Sequence, residues 1–306
     1  MLDPSRNAIP PPVAFFAVSN SRHFLGLVAL INSLRRVGHD EPIYVVDCGL
    51  QQHERALLET HVELVPALAD TPPALLKLFA PRQVAPDIAI VIDADVIVTQ
   101  TLAPLIGEKL VVFADPIGER FYPEWHELGF GHVSPTPTAN SGHLIVPSSS
   151  GALDALQDGM ERVIELVQRD PTLASSMAAP FYLADQDVLN AYLGTLPPDG
   201  YVRSTAAAYW PFAAPLEDVR LLHHIMWKPW LHSLRPNAYS ERMVTLLAGG
   251  PVRIPAELVP LHLRPGRLGE ASRWQRSVRH KLRGHTRGKL GVMRKLRPGG
   301  SHFFRT

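Results

Sequence analysis

Two aspartates, Asp93 and Asp95, flank Ala94 at the end of an uninterrupted aliphatic run, residues 88–98 reading IAIVIDADVIV. Alternate residues of an extended chain point the same way, so both carboxylates can face one divalent cation. Hard oxygen ligands suit Mg²⁺ or Mn²⁺, and such an ion screens the two phosphates of a nucleotide-sugar leaving group. Acids at a strand end are also ordinary solvated loop residues, so the pair alone does not identify a chemistry.

Two further clusters lie downstream. Residues 182–192, YLADQDVLNAY, open an apolar helical stripe with Asp185, Gln186 and Asp187 at its N-terminus. There they are either helix caps or, for Asp185 and Gln186, hydrogen-bonding partners for sugar hydroxyls. Residues 221–230, LLHHIMWKPW, offer His223 or His224 as a neutral imidazole ligand and Lys228 as a point charge for a phosphate. Paired histidines behind two leucines also suit a structural role. The aromatic loop 121–137, with Tyr122, Trp125 and His126, is the expected acceptor-recognition segment, with a structural aromatic cluster as the alternative.

The elements that position these residues follow from hydrophobic period and turn residues. A strand at 12–18, a helix at 25–37 closed by Gly38, a strand at 42–47, a helix at 52–60 and a strand at 62–65 alternate as βαβ units do. A helix at 74–79 ends before Pro81, and 88–92 reads as a central strand buried on both faces that delivers Asp93 at its carboxyl end. Ligands of open α/β sheets bind outside such ends. Strands at 110–114 (ending in Asp115) and 143–146, and helices at 153–168 and 186–192, complete the legible part. The pattern predicts an α/β fold with a mostly parallel sheet flanked by helices, and shows no internal repeat.

Taken in order, Asp93-Ala94-Asp95, Asn140-Ser141-Gly142, the run from Asp185 to Asn190, and His with Lys228-Pro229-Trp230 resemble glycosyltransferase family 8, the glycogenin and lipopolysaccharide galactosyltransferase family. The opening FFAVSNSRHFLGLVALINSLRRVG is similar to that family's first strand, nucleotide loop and first helix. The resemblance spans roughly residues 13–230. It implies a GT-A (Rossmann-like) fold, a UDP-sugar donor, Mn²⁺ (or Mg²⁺) and hexosyl transfer with retention to a glycan or lipid-linked acceptor. Asp93, Asp95 and one of His223 and His224 would bind metal, and Lys228 the diphosphate. Val18, Ser19 and Asn20 would line the uridine, and Lys77 and Asp115 would lie near the donor. Asn140, Ser141, Gly142, Asp185 and Gln186 would surround the sugar. Two departures stand out. Lys228 follows His223 by five positions and His224 by four with no glycine between, and Leu75 stands where the family tends to carry an Arg two residues before Lys77.

The 306 residues suit one large domain or two small ones; the reading divides them into a leader (1–12), a catalytic domain (13–263) and a basic extension (264–306). The extension holds 13 Lys and Arg against Glu270, leaving 17 basic and 28 acidic residues in 1–263. With Trp274, Phe303 and Phe304 among its cations it suits an anionic membrane surface; nucleic acid and a solvated tail are the alternatives, and no specific nucleic-acid partner is expected. One cysteine, Cys48, expected to be a small buried hydrophobe, together with no signal-peptide pattern and no long apolar run, points to a cytoplasmic protein, peripheral at most at the inner face of the membrane. Two rivals use the same residues. One is a haloacid-dehalogenase-type phosphatase with Asp93 as nucleophile and Asp95 as acid, although that motif normally opens its domain. The other is a non-catalytic nucleotide-binding protein of the same fold.

Overall fold

The computed structural model describes residues 12–264 apart from 69–70, 72, 117, 211–217, 226–227 and 233–236. The basic extension beyond Arg264, its aromatics and Trp227 therefore lie outside the described residues, as does nearly all of the leader.

The first half winds as the alternation requires: β1 (Val13–Ser19), α1 (Phe24–Arg36), β2 (Ile43–Asp47), α2 (Gln52–Leu58), β3 (Glu63–Pro66), α3 (Pro73–Val84) and β4 (Ile88–Ile92). β1 lies between β2 and β4 and pairs parallel with both. The chain thus runs outward through β2 and β3, returns along α3, and restarts on the other side of β1. The crevice between the carboxyl ends of β1 and β4 is the topological switch point, where this class of sheet binds ligands. α3 runs through Pro81 rather than ending before it. Pro81 has no N–H to give the Lys77 carbonyl, but Leu76, Leu78 and Ala80 bury in the core, and Ala85 still donates to the Pro81 carbonyl at 2.9 Å.

Beyond β4 come β5 (Val96–Val98), β6 (Leu110–Ala114), β7 (Ala139–Pro147), α4 (Ala152–Arg169), α5 (Asp185–Leu193), β8 (Tyr201–Ser204), β9 (Ala207–Trp210), β10 (Leu221–His224) and α6 (Ala238–Gly249). The main sheet has seven strands in the order β3-β2-β1-β4-β7-β6-β8, mixed because β7 runs antiparallel to both neighbours. A second sheet, β5-β10-β9, was not foreseen.

Period-two alternation divides the core. Phe15, Ala17, Ile90, Ile92 and Ile145 pack with α1, α6 and the small sheet; Ala14, Phe16, Ala89, Val91, Leu144 and Val146 pack with α3, α4 and α5. α1 is buried from Phe24 through Leu34, which explains its nearly unbroken apolar sequence. Among the described residues no helix is long and apolar enough to cross a membrane. Cys48 is half-buried, and burial pushes its thiol up to about 11.

Candidate metal and donor site

Asp93 leaves the end of β4, and its N–H donates to the Gly142 carbonyl at 2.7 Å. β5 then pairs antiparallel with β10, with Val96 opposite His223. That small sheet draws a histidine 130 positions downstream to the aspartate pair. His223 Nε2 lies 3.1 Å from Asp95 Oδ1 and 4.0 Å from Asp93 Oδ2. One oxygen from each aspartate and one ring nitrogen all fall within 4.8 Å of one another. His224, the next residue of the strand, faces the other way. Its ring meets Tyr239 of α6 edge-on at 5.2 Å, and neither ring nitrogen has a hydrogen-bond partner among the described residues. Alternation along β10 thus separates the two histidines that sequence spacing left equivalent.

Two ammonium groups balance the carboxylates. Lys77, from α3, reaches Asp93 Oδ1 at 2.7 Å, Asp185 Oδ2 at 2.8 Å and the Ser141 carbonyl at 3.1 Å. Lys228 contacts Asp95 Oδ2 and donates to the His224 carbonyl. Burial alone would raise the Asp95 carboxyl, but His223 and Lys228 together hold it well below the usual carboxylate range. Burial likewise opposes the charge on Lys77, yet Asp185 and Asp93 raise its ammonium above the ordinary lysine range. Asp93, Asp95 and Asp185 outnumber Lys77 and Lys228 by one charge, so this cluster has room for a cation. Two carboxylates and an imidazole form the donor set that Mn²⁺ or Mg²⁺ accepts.

The Asn140-Ser141-Gly142 motif is presented by an irregularity in β7. Its pairing with β6 shifts between Val112 and Phe113, so Leu144 faces Val112 while Asn140 faces Phe113. The extra residues, Ser141 to His143, are carried toward the end of β4. A Cβ on Gly142 would lie 2.5 Å from His223 Cε1 and 2.8 Å from both Asn140 Oδ1 and Asp93 Oδ2, so only glycine fits there. Asn140 Nδ2 donates to Asp115 Oδ2 at 2.8 Å and to Gln186 Oε1 at 3.1 Å, joining β6, β7 and α5 in one chain. Gln186 Nε2 is buried without a hydrogen-bond partner among the described residues.

Val18, Ser19 and Asn20 close β1 beside β4, Ser19 buried and the other two half-buried. The Asn20 side chain accepts from the His23 N–H and meets His23 Nδ1 at 3.2 Å. Ala94 is buried under α1, where Gly26 permits its carbonyl and the Trp230 ring to approach. The expected aromatic acceptor loop is corrected in part: Trp125 is 1% exposed and its Nε1 donates to the Pro180 carbonyl at 2.8 Å, so it supports the loop from within. A 3-10 turn at Pro123–Leu128 interrupts that loop.

Sequence reasoning missed four residues. His23 packs edge-on against Trp230 at 6.3 Å; burial lowers its imidazole, opposed by Asp95. His143 and Tyr209 back the His223 ring at 5.5 and 5.9 Å, joined to each other by a 2.9 Å hydrogen bond. Arg120 pairs with Asp187. His23 stands in a quoted motif and could have been found; the other three depend on tertiary contacts.

No family model matches the sequence, and no curated protein matches it by sequence. Solved structures do match. The galactosyltransferase LgtC in complex with donor and acceptor sugar analogues is 18% identical over 80% of this chain and 98% of that one, with a TM-score of 0.58. The bifunctional glycosyltransferase WbbM gives 14% identity, 82% and 51% coverage and a TM-score of 0.53. The glycosyltransferase GlyE of Streptococcus pneumoniae TIGR4 gives 18%, 78%, 61% and 0.52. The chain has the GT-A fold of these glycosyltransferases, as the four ordered motifs led one to expect.

Proposed function

We propose that this protein is a metal-dependent glycosyltransferase that moves a hexosyl group from a UDP-sugar to a hydroxyl of a glycan or lipid-linked acceptor, with retention at the anomeric carbon. The observation that carries the reading is the convergence of Asp93, Asp95 and His223 at the switch point of a GT-A sheet, beside two lysines. The likeness to LgtC, known in complex with donor and acceptor sugar analogues, supports sugars as both substrates.

Asp93, Asp95 and His223 would hold Mn²⁺ or Mg²⁺, which when bound supplies Lewis-acid charge at the donor diphosphate. Lys228, now against Asp95, is within reach to take up a phosphate oxygen and so offset charge on the departing UDP. Val18, Ser19 and Asn20 line the nucleoside end. Asp115, Asn140, Ser141 and Gly142 form the wall that receives the sugar hydroxyls. Lys77 orients Asp185 through its 2.8 Å contact. Asp185 and Gln186 then flank the reacting carbon, and the buried Gln186 amide has donors to spare for an incoming hydroxyl. Retention follows from front-face attack, or from a covalent intermediate on Asp185 or Gln186. The basic extension would hold the enzyme at an anionic membrane, which liposome flotation of full-length and truncated protein tests.

The direct test is UDP release from a panel of UDP-sugars with Mn²⁺. The reading requires release that EDTA and Asp95→Asn both abolish. It fails when no donor is turned over and no uridine nucleotide shifts the melting temperature.

A further inference from the structure

Arg120 immediately precedes the aromatic loop and makes a set of contacts behind the site. Its Nε donates to Asp187 Oδ1 at 3.2 Å, Nη1 to the Met177 carbonyl at 2.9 Å and Nη2 to the Ala179 carbonyl at 3.3 Å. Its backbone N–H donates to Thr138 Oγ1 at 3.0 Å. The guanidinium also lies over the Tyr122 ring, 5.1 Å from its centre. One residue thereby ties together three segments: the loop that follows Asp115, the start of β7 that carries Asn140, and the turn that leads into Asp185 and Gln186. These are the three segments joined at the site by the chain from Asp115 through Asn140 to Gln186.

The turn held in this way is strained. Ala184, immediately before Asp185, has φ +45° and ψ −101°, a region that L-residues rarely adopt and that persists only when the surroundings over-determine it. Asp187 supplies part of that constraint by accepting the Leu183 N–H at 2.7 Å. Asp187 itself is 1% exposed, and burial pushes its carboxyl up to about 7 against the pull of Arg120. A buried ion pair is a poor source of stability compared with apolar packing, but it fixes geometry.

We infer that Arg120 is a positioning residue for transfer: through Asp187 and the Met177 and Ala179 carbonyls it holds the Ala184 turn, and so sets Asp185 and Gln186 against the donor sugar without touching it. The inference rests on the proposed glycosyl transfer. It separates donor binding, left to β4, β10 and Lys228, from alignment for reaction, which the clamp supplies.

The test compares wild type, Arg120→Lys and Arg120→Met in the full chain. Misalignment near a reacting centre costs on the order of 100-fold in rate, so kcat for UDP release should fall about that far in Arg120→Met. The Kd for UDP with Mn²⁺ should change less than about threefold. Amide exchange over residues 183–187 should quicken about tenfold while β4 and β10 keep their protection. Arg120→Lys should be intermediate, and it decides on the same criteria if Arg120→Met does not fold. The inference is overturned if kcat, UDP affinity and melting temperature fall together, if kcat is unchanged, or if exchange at 183–187 is unaltered. A wild type that releases no UDP from any donor, and whose melting temperature no uridine nucleotide shifts, would overturn the proposed function, and that result is read without any variant.

Discussion

The ammonium of Lys77 lies 2.8 Å from Asp185 and 2.7 Å from Asp93, so one cation from α3 joins the end of β4 to the start of α5. With Lys228 on Asp95, both aspartates of the proposed metal pair carry an internal counter-charge. Metal and ammonium therefore compete for the same carboxylates, and a metal and a diphosphate that draws a lysine away favour each other's binding by one coupling free energy.

Lys77→Met would leave two neighbouring carboxylates without that counter-charge. Breaking a fully buried pair costs about 3–5 kcal/mol; here the carboxylates are 20–31% exposed, which reduces the loss to about 1–2 kcal/mol. Thermal melts should show a drop of roughly 2–8 °C. Added Mn²⁺ should recover more of the melting temperature in the variant than it adds to wild type. An equal Mn²⁺ response in the two proteins would count against the competition.

Gly142→Ala places a methyl where His223, Asn140 and Asp93 already crowd. Since two of the three are proposed metal ligands, Mn²⁺ affinity in the presence of UDP should weaken by about tenfold or more. Electron paramagnetic resonance of free Mn²⁺ during titration measures this directly. Unchanged affinity would show that His223 and Asp93 can give way without loss of metal binding, and would count against their role as ligands.

The two histidines should behave oppositely. His223→Ala should abolish Mn²⁺-dependent UDP binding, whereas His224→Phe should keep it. His224 also carries a pH signature: burial, helped by Lys228, lowers its imidazole to about 4 from the ordinary 6.5. A depressed folded-state value means stability that is present above pH 6.5 and lost as pH falls toward 4, worth about 1–2 kcal/mol after solvent screening. Melting temperature against pH should fall over that window more steeply in wild type than in His224→Phe. Parallel curves would show that His224 is not the group responsible.

Much of this arrangement was legible in the sequence because its signals are local. The aliphatic run 88–92 has strand length and follows alternating strands and helices, so Asp93 at a strand's carboxyl end followed from that length and setting. β5 and β10 were not legible: Val96–Val98 and Leu221–His224 are three and four residues long, too short for any period, and exist only through pairing, β5 with β10 and β10 also with β9. That pairing is what distinguishes His223 from His224. The strand at 143–146 was read too short because Asn140, Ser141 and Gly142 carry no strand preference; they are extended because Asp93 and Asn190 hydrogen-bond to that stretch. Arg120 was invisible for a similar reason, since its meaning depends on Asp187, 67 positions away.

Titration of UDP into the protein with and without Mn²⁺, repeated with Asp95→Asn, tests the central claim most directly. The account predicts that Mn²⁺ tightens UDP binding to wild type by at least about tenfold and leaves the variant's weak binding unchanged. UDP binding that is indifferent to Mn²⁺, or equally tight in Asp95→Asn, would contradict a metal-bridged nucleotide donor at Asp93, Asp95 and His223.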